Sequence, residues 1–197
     1  MNLSNKITLS RIAILPIFML GLEMGGISWN FVALFCFGYA AYSDWLDGML
    51  ARKYNWETDF GRFMDPLADK IFISAAFISF ASIKELNVPA WMVTLILSRE
   101  FMITGLRTLA VSKNVVLPAQ KSGKFKTTFQ LIAIGVIIAV SLVYDFERAG
   151  IFRVSNDVRL ILANLPLIFM WLVVVLTVFS GASYIYDNRH LIRENND

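Results

Sequence analysis

The sequence predicts an all-α integral membrane protein: six transmembrane helices preceded by a short interfacial helix. Three observations carry that expectation. Of the 197 residues, 57% are hydrophobic and the mean hydropathy is +0.60, which is too apolar for a soluble domain of this length. The apolar residues gather into runs close to the ~20 that a helix needs to cross a bilayer core. No segment alternates apolar and polar at period two over the roughly ten residues of a barrel strand, so the spans are helical. The single cysteine, Cys36, lies in an apolar run, which excludes a disulfide framework or a thiol metal site. A net charge of +3 and a pI near 9.1 report loop charges and affinity for anionic head groups, not nucleic acid. No period of tens of residues signals a repeat, so residues 1–197 are read as one transmembrane domain.

Residues 1–11, MNLSNKITLSR, are polar with Leu3, Ile7 and Leu9 interleaved, the pattern of an interfacial helix leading into the bilayer. Ile12 to Leu22 continue it as the first span. A signal peptide would use Lys6 and Arg11 as its basic flank, but Leu22, Glu23 and Met24 stand where a small-residue cleavage site would be needed. After a turn with Gly25 and Gly26, the second span runs from about Trp29 to Leu50. A polar and aromatic loop, Arg52 to Phe60, leads to a third span from about Gly61 to Ile83, with Pro66 near its start, where a missing N–H is tolerated. Pro89 opens the fourth span, to about Val111. Ser112 to Gly123 form a loop, and the fifth span covers about Lys124 to Tyr144. A mixed-charge loop, Asp145 to Asp157, precedes a sixth span from about Val158 to Tyr186.

The basic residues assign an orientation. Lys6, Arg11, Arg52, Lys53, Arg62, Lys113, Lys121, Lys124, Lys126, Arg189 and Arg193 fall at one set of helix ends. Only Lys84, Arg148, Arg153 and Arg159 fall at the other. The richer side is expected to face the cytoplasm, with both termini inside.

Asp44 to Asp69 reads DWLDGMLARKYNWETDFGRFMDPLAD and places four carboxylates beside apolar helices at that cytoplasmic end. Asp44 and Asp47 are three apart, and Asp65 and Asp69 are four apart, so at ~100° per residue each pair shares a helix face. Carboxylates at membrane depth are costly enough to imply a function. Pointing at one another they repel, and one or two divalent cations would neutralise them; their hard oxygens suit Mg²⁺, Mn²⁺ or Ca²⁺. A solvated helix end is the bland alternative, but the second pair runs into an apolar helix rather than away from it. Gly48, Ala51 and Gly61 leave room for a close approach.

The fourth span holds Arg99, Glu100 and Arg107, with the two arginines eight apart and on one face. Glu100 offsets one positive charge and leaves the other. With Lys121 and Lys124, at the cytoplasmic entrance to the fifth span, the arginines can make a cationic pocket for a phosphate, arginine serving as the bidentate partner. Lys113 and Lys126 fit equally as members of that pocket or as snorkelling, positive-inside decoration. Acids suited to a metal beside bases suited to a phosphate point to phosphoryl chemistry, with a carboxylate available to accept a proton from an attacking hydroxyl.

Asp44, Asp47, Gly48, Ala51, Arg52, Gly61, Asp65 and Asp69 match the pattern D-x2-D-G-x2-A-R-x8-G-x3-D-x3-D, and the chain resembles the CDP-alcohol phosphotransferase family, whose signature this is. All eight positions agree in identity and spacing, and six spans with the signature across the second and third extend the likeness over essentially the whole length. The resemblance implies that Asp44, Asp47, Asp65 and Asp69 hold one or two divalent ions, Mg²⁺ or Mn²⁺, and that Asp69 is also the catalytic base. It implies that Gly48, Arg52 and Thr58 contact the CDP moiety, with Asn5 and Thr8 as an N-x-x-T element closing the nucleotide site. Arg99 to Ala110, REFMITGLRTLA, and Gly123 to Gln130, GKFKTTFQ, are similar to the bacterial branch that joins CDP-diacylglycerol to glycerol 3-phosphate. That branch implies a bacterial cytoplasmic membrane and, as the family does, a homodimer. The pocket of Arg99, Arg107, Lys121 and Lys124 agrees with it, since only a phosphorylated acceptor needs such a site. Two alternatives stay open: the same chemistry on inositol phosphate or another alcohol, and a cation-coupled transporter using the intramembrane acids.

Overall fold

A computed structural model describes residues 3–54, 59–112 and 121–189. The described residues form six long helices, α1 (Leu3–Met24), α2 (Ile27–Tyr54), α3 (Asp59–Ser82), α4 (Ala90–Ser112), α5 (Lys121–Arg148) and α6 (Asn156–Asp187), with a 3₁₀ turn at Lys84–Leu86. Among the described residues there is no strand. Residues 3–11, expected as a separate interfacial helix, run without a break into the first apolar segment, because neither proline nor glycine occurs between Leu3 and Leu15. The other elements lie within a few residues of their expected bounds, α2 and α5 extending further at their charged ends.

Segments of α1 (Lys6–Met24), α5 (Phe125–Arg148) and α6 (Asn156–Asp187) are long and apolar enough to cross a membrane. The other three helices carry the charged motifs: Asp44 and Asp47 on α2, Asp65 and Asp69 on α3, and Arg99, Glu100 and Arg107 on α4. Large apolar side chains point outward along the bundle, Phe35 at 73% and Phe179 at 70% exposure among them. In water such a surface would be a liability, whereas against lipid chains it is solvated.

The helices pack α1 on α2 and α3, α5 on α6 and α2, and α4 on α6 and α3. Phe18, Phe77, Phe80, Ile96, Ile134 and Met170 fill the centre and are fully buried. Phe18 lies against Phe72 with ring centroids 4.7 Å apart. A close backbone approach occurs at Gly21, where a Cβ would stand 2.9 Å from the Trp29 carbonyl oxygen and 3.2 Å from the Ala33 Cβ. Small residues permit such contacts in membrane bundles, where dispersion replaces the hydrophobic effect as the source of helix association. Gly25 and Gly26, at φ 61 and 86, make the left-handed turn that reverses the chain from α1 into α2. Ser155 caps α6 by accepting from the Val158 N–H.

The two ends of the bundle differ. At one, Asn30 donates to Asp145 and, at 3.1 Å, to Ser141, while Arg148 pairs with Glu85 at 2.9 Å and Arg159 with Glu147. There α2, α5, the 3₁₀ turn and the start of α6 are tied together. At the other end lie the start of α1, the end of α2, the start of α3, the second half of α4 and the start of α5, which carry the remaining charged motifs.

Candidate active site

Asp44 and Asp47 project from one face of α2, as their spacing predicts, and α1 supplies their partners. Arg11 is 3% exposed and reaches Asp44 Oδ1 through Nη1 at 2.6 Å and Asp47 Oδ2 through Nη2 at 3.5 Å. Thr8 donates its hydroxyl to Asp47 Oδ2 at 3.0 Å. A buried charge survives only when paired and hydrogen-bonded, so the buried Arg11 and Asp47 stabilise each other. Asp44 differs in being 57% exposed, so its carboxylate is accessible to a ligand although Arg11 holds Oδ1.

Asp69, on α3, comes to the same place. Arg11, Asp44, Asp69, Phe37, Phe72 and Leu131 are among the residues that line one cavity of about 50 Å³. A single water needs roughly 10–15 Å³, so the cavity has room for an ion and a water or two. The donors on its wall are carboxylates, hard oxygens without a thiol or imidazole, and they fit Mg²⁺, Mn²⁺ or Ca²⁺. Among the described residues no three Asp, Glu, His or Cys side chains close into a cage. The side chain of Asp65, the fourth expected ligand, lies outside the described ones. So do those of Asn5, Gly48, Arg52, Lys121 and Lys124, and Thr58 lies outside the described residues altogether.

Beside the acids stands a second, cationic cluster. Lys70 follows Asp69 on α3 and donates to the Thr104 hydroxyl of α4, and that hydroxyl donates at 2.7 Å to the Glu100 carbonyl. From α5, Lys126 donates to Glu100 Oε1, which also accepts from Gln130 Nε2 at 3.3 Å. Arg99 Nη1 lies 3.9 Å from Glu100 Oε2, and its Nη2 donates to Ser180 of α6. The Arg99 stem runs along Gly181, where a Cβ would come within 3.0 Å of Arg99 Cγ. Arg107 donates from Nε to the Tyr184 hydroxyl at 3.2 Å, its guanidinium 5.4 Å from the ring centroid. Both arginines face α6, and so share the helix face that their eight-residue spacing predicts. Lys70, Arg99, Arg107 and Lys126 repel one another, and Asp69 feels Asp44, Arg11, Lys126 and Lys70 together.

The structure therefore gives three residues partners that the sequence did not assign. Arg11 is the counter-ion of the first aspartate pair. Lys70 joins the acid cavity to the cationic cluster. Lys126, which the sequence left between pocket and decoration, is 3% exposed and holds the glutamate. For Arg11 and Lys126 the signal was a basic residue at the polar start of an apolar helix. For Lys70 it was adjacency to Asp69.

The family model described as CDP-alcohol phosphatidyltransferase matches residues 1–179. The chain is similar to a Bacillus subtilis protein named CDP-diacylglycerol--glycerol-3-phosphate 3-phosphatidyltransferase, with 38% identity over 99% of both chains. It is similar to a Mycobacterium tuberculosis protein named probable phosphatidylglycerophosphate synthase, with 37% identity over 93% of this chain and 80% of that one. A Rickettsia felis protein bearing the same name as the Bacillus relative is 32% identical over 93% of both.

Proposed function

This chain belongs to the CDP-alcohol phosphatidyltransferase family, and on that premise we propose the reaction it performs: transfer of the phosphatidyl group from CDP-diacylglycerol to glycerol 3-phosphate, giving phosphatidylglycerophosphate and CMP. The relatives' names specify that donor and acceptor. One observation of the fold carries the reading: neighbouring residues of α3, Asp69 and Lys70, face an acid cavity and a cationic cluster respectively. A diphosphate at the acids and an acceptor phosphate at the cations would then meet across one helical position.

Each residue has a part in this scheme. Asp69 accepts the proton of the acceptor's 1-hydroxyl. The freed oxygen forms the new bond to the phosphorus attached to diacylglycerol, and the bond from that phosphorus to the CMP oxygen breaks. The family is generally dependent on a divalent metal. Asp44, Asp47, Asp65 and Asp69 would hold it here, as one or two Mg²⁺ or Mn²⁺ ions, and when bound it supplies charge neutralisation of the diphosphate and of the departing CMP. Arg11 keeps Asp44 and Asp47 in place beneath the substrate. Asn5, Thr8, Gly48, Arg52 and Thr58 are assigned to the CDP moiety on family resemblance alone. Arg99, Arg107, Lys121 and Lys124, joined by Lys70 and Lys126, take the acceptor's phosphate. We further propose that the whole chain is one domain of six spans in the bacterial cytoplasmic membrane, with the site and both termini on the cytoplasmic side, and that it forms a homodimer.

An acceptor panel tests the assignment. Purified protein in detergent or vesicles is given CDP-diacylglycerol with glycerol 3-phosphate, inositol phosphate, serine or glycerol, and CMP release is measured. Glycerol 3-phosphate should support turnover at least about a hundredfold above the unphosphorylated acceptors, the value of two charge-assisted hydrogen bonds at ~1.5–3 kcal/mol each. Equal use of serine and glycerol would overturn it.

A further inference from the structure

Glu100 is a carboxylate set among Lys126, Arg99 and the neighbouring Lys70 and Arg107, and the transfer reaction as described gives it no part. Its geometry is specific. Oε1 accepts from two side chains one turn apart on α5, Lys126 and Gln130, while Oε2 faces Arg99. Its own carbonyl accepts from Thr104, the residue that receives Lys70. Among the described residues α4 and α5 are not a closely packed pair, so the link from Glu100 to Lys126 and Gln130 spans a gap between helices. Lys126 is almost completely buried, where an unpaired ammonium would be costly. An anion is needed there whether or not substrate is present, and the bundle carries its own.

We propose that Glu100 is a built-in stand-in for the acceptor's phosphate: it holds Lys126 while the site is empty, yields it to the incoming phosphate, and takes it back as the phosphorylated product leaves. The inference rests on the reading of Lys126 and its neighbours as the acceptor-phosphate site. Glu100 acts through Lys126 and is a positioning residue. It sets a balance, since a carboxylate that competes with the phosphate weakens acceptor binding but also loosens the product, which carries the same phosphate. Gln130 modulates that balance by sharing Oε1, so its loss tightens Glu100 on Lys126.

The test is steady-state kinetics on folded protein, with inorganic phosphate as a competitive probe of the acceptor site. Glu100→Gln should lower the KM for glycerol 3-phosphate and the inhibition constant for phosphate together, roughly three- to tenfold, the worth of one hydrogen-bonding contact. It should lower kcat by a larger factor and leave the KM for CDP-diacylglycerol unchanged. Glu100→Asp should restore most of kcat. Gln130→Leu, a milder change should Glu100→Gln fail to fold, should move the acceptor KM up by a similar factor. A merely structural glutamate would give lower kcat with both KM values unmoved, or weaker binding of both substrates, and either result overturns the proposal. Lys126→Met separates the two levels. If it leaves the glycerol 3-phosphate KM unchanged, the acceptor-site reading fails and this inference with it. If it raises that KM while Glu100→Gln and Gln130→Leu do not shift it in opposite directions, only the inference fails.

Discussion

Asp69 is the residue on which the proposed chemistry turns, since it lines the acid cavity and directly precedes the lysine that reaches the cationic cluster. Asp69→Asn keeps the shape and removes the proton acceptor. Loss of a general base costs about 10²- to 10⁴-fold, so CMP release should fall by that factor while CDP-diacylglycerol binding, measured in parallel, persists. If binding is lost as well, the residue is a ligand rather than a base. Arg107 makes a different prediction because it donates to Tyr184 and lies over its ring. Arg107→Ala should raise the glycerol 3-phosphate KM about ten- to hundredfold, one charge-assisted contact of ~1.5–3 kcal/mol. Arg107→Lys should recover only part, since an ammonium lacks the planar fork. The aspartates were legible in the sequence because carboxylates at helical spacing inside apolar runs have few innocent explanations. Arg11 and Lys126 were not assigned roles because each finds its carboxylate across a long stretch of chain, and a lone basic residue near a helix end also fits positive-inside decoration.

The helices were legible as elements because glycine, proline and polar turns punctuate the apolar runs. What the pattern could not show is which faces touch. The α1–α2 seam is the clearest case, since Gly21 reads as any other glycine in an apolar segment yet has no space for a methyl group. Gly21→Ala must push two backbones apart and should destabilise by about 1–3 kcal/mol, as overpacking does. Gly38→Ala, with nothing within 4 Å of its new Cβ, should be neutral or stabilising by up to ~1 kcal/mol through helix propensity. Thermal melts of the two variants in one detergent check the contrast. The turn between α3 and α4 responds to pH. Its own backbone N–H, and then Arg148, hold the Glu85 carboxyl below the usual carboxylate range. A depressed folded-state value stabilises at pH above the ordinary carboxylate value and is lost as pH falls through the depressed one. The difference in melting temperature between wild type and Glu85→Gln should therefore be small at neutral pH, as for any exposed pair, and vanish on acidification. A difference that grows toward acid would contradict the assignment.

At the scale of the whole molecule, the charged motifs collect at one end of a bundle whose flanks are apolar, and every long helix contributes a side chain to that end. Such an arrangement joins a water-soluble acceptor to a lipid-borne donor at the membrane surface, where neither has to leave its own phase. Reporter fusions after Asp187 and before Leu3 should both report the cytoplasm, and a fusion at Glu85 the opposite side. The central claim is that the acid cluster, holding the diphosphate, and the cationic cluster, holding the acceptor's phosphate, serve one transfer in one site. It is tested most directly by CMP release from CDP-diacylglycerol by a single purified preparation, with the divalent cation and glycerol 3-phosphate each withheld in turn. The account predicts one CMP per phosphatidylglycerophosphate formed, no release when either is absent, and loss of release in Asp44→Asn despite normal folding. Release that continues at full rate in excess chelator, or without the acceptor, would contradict it.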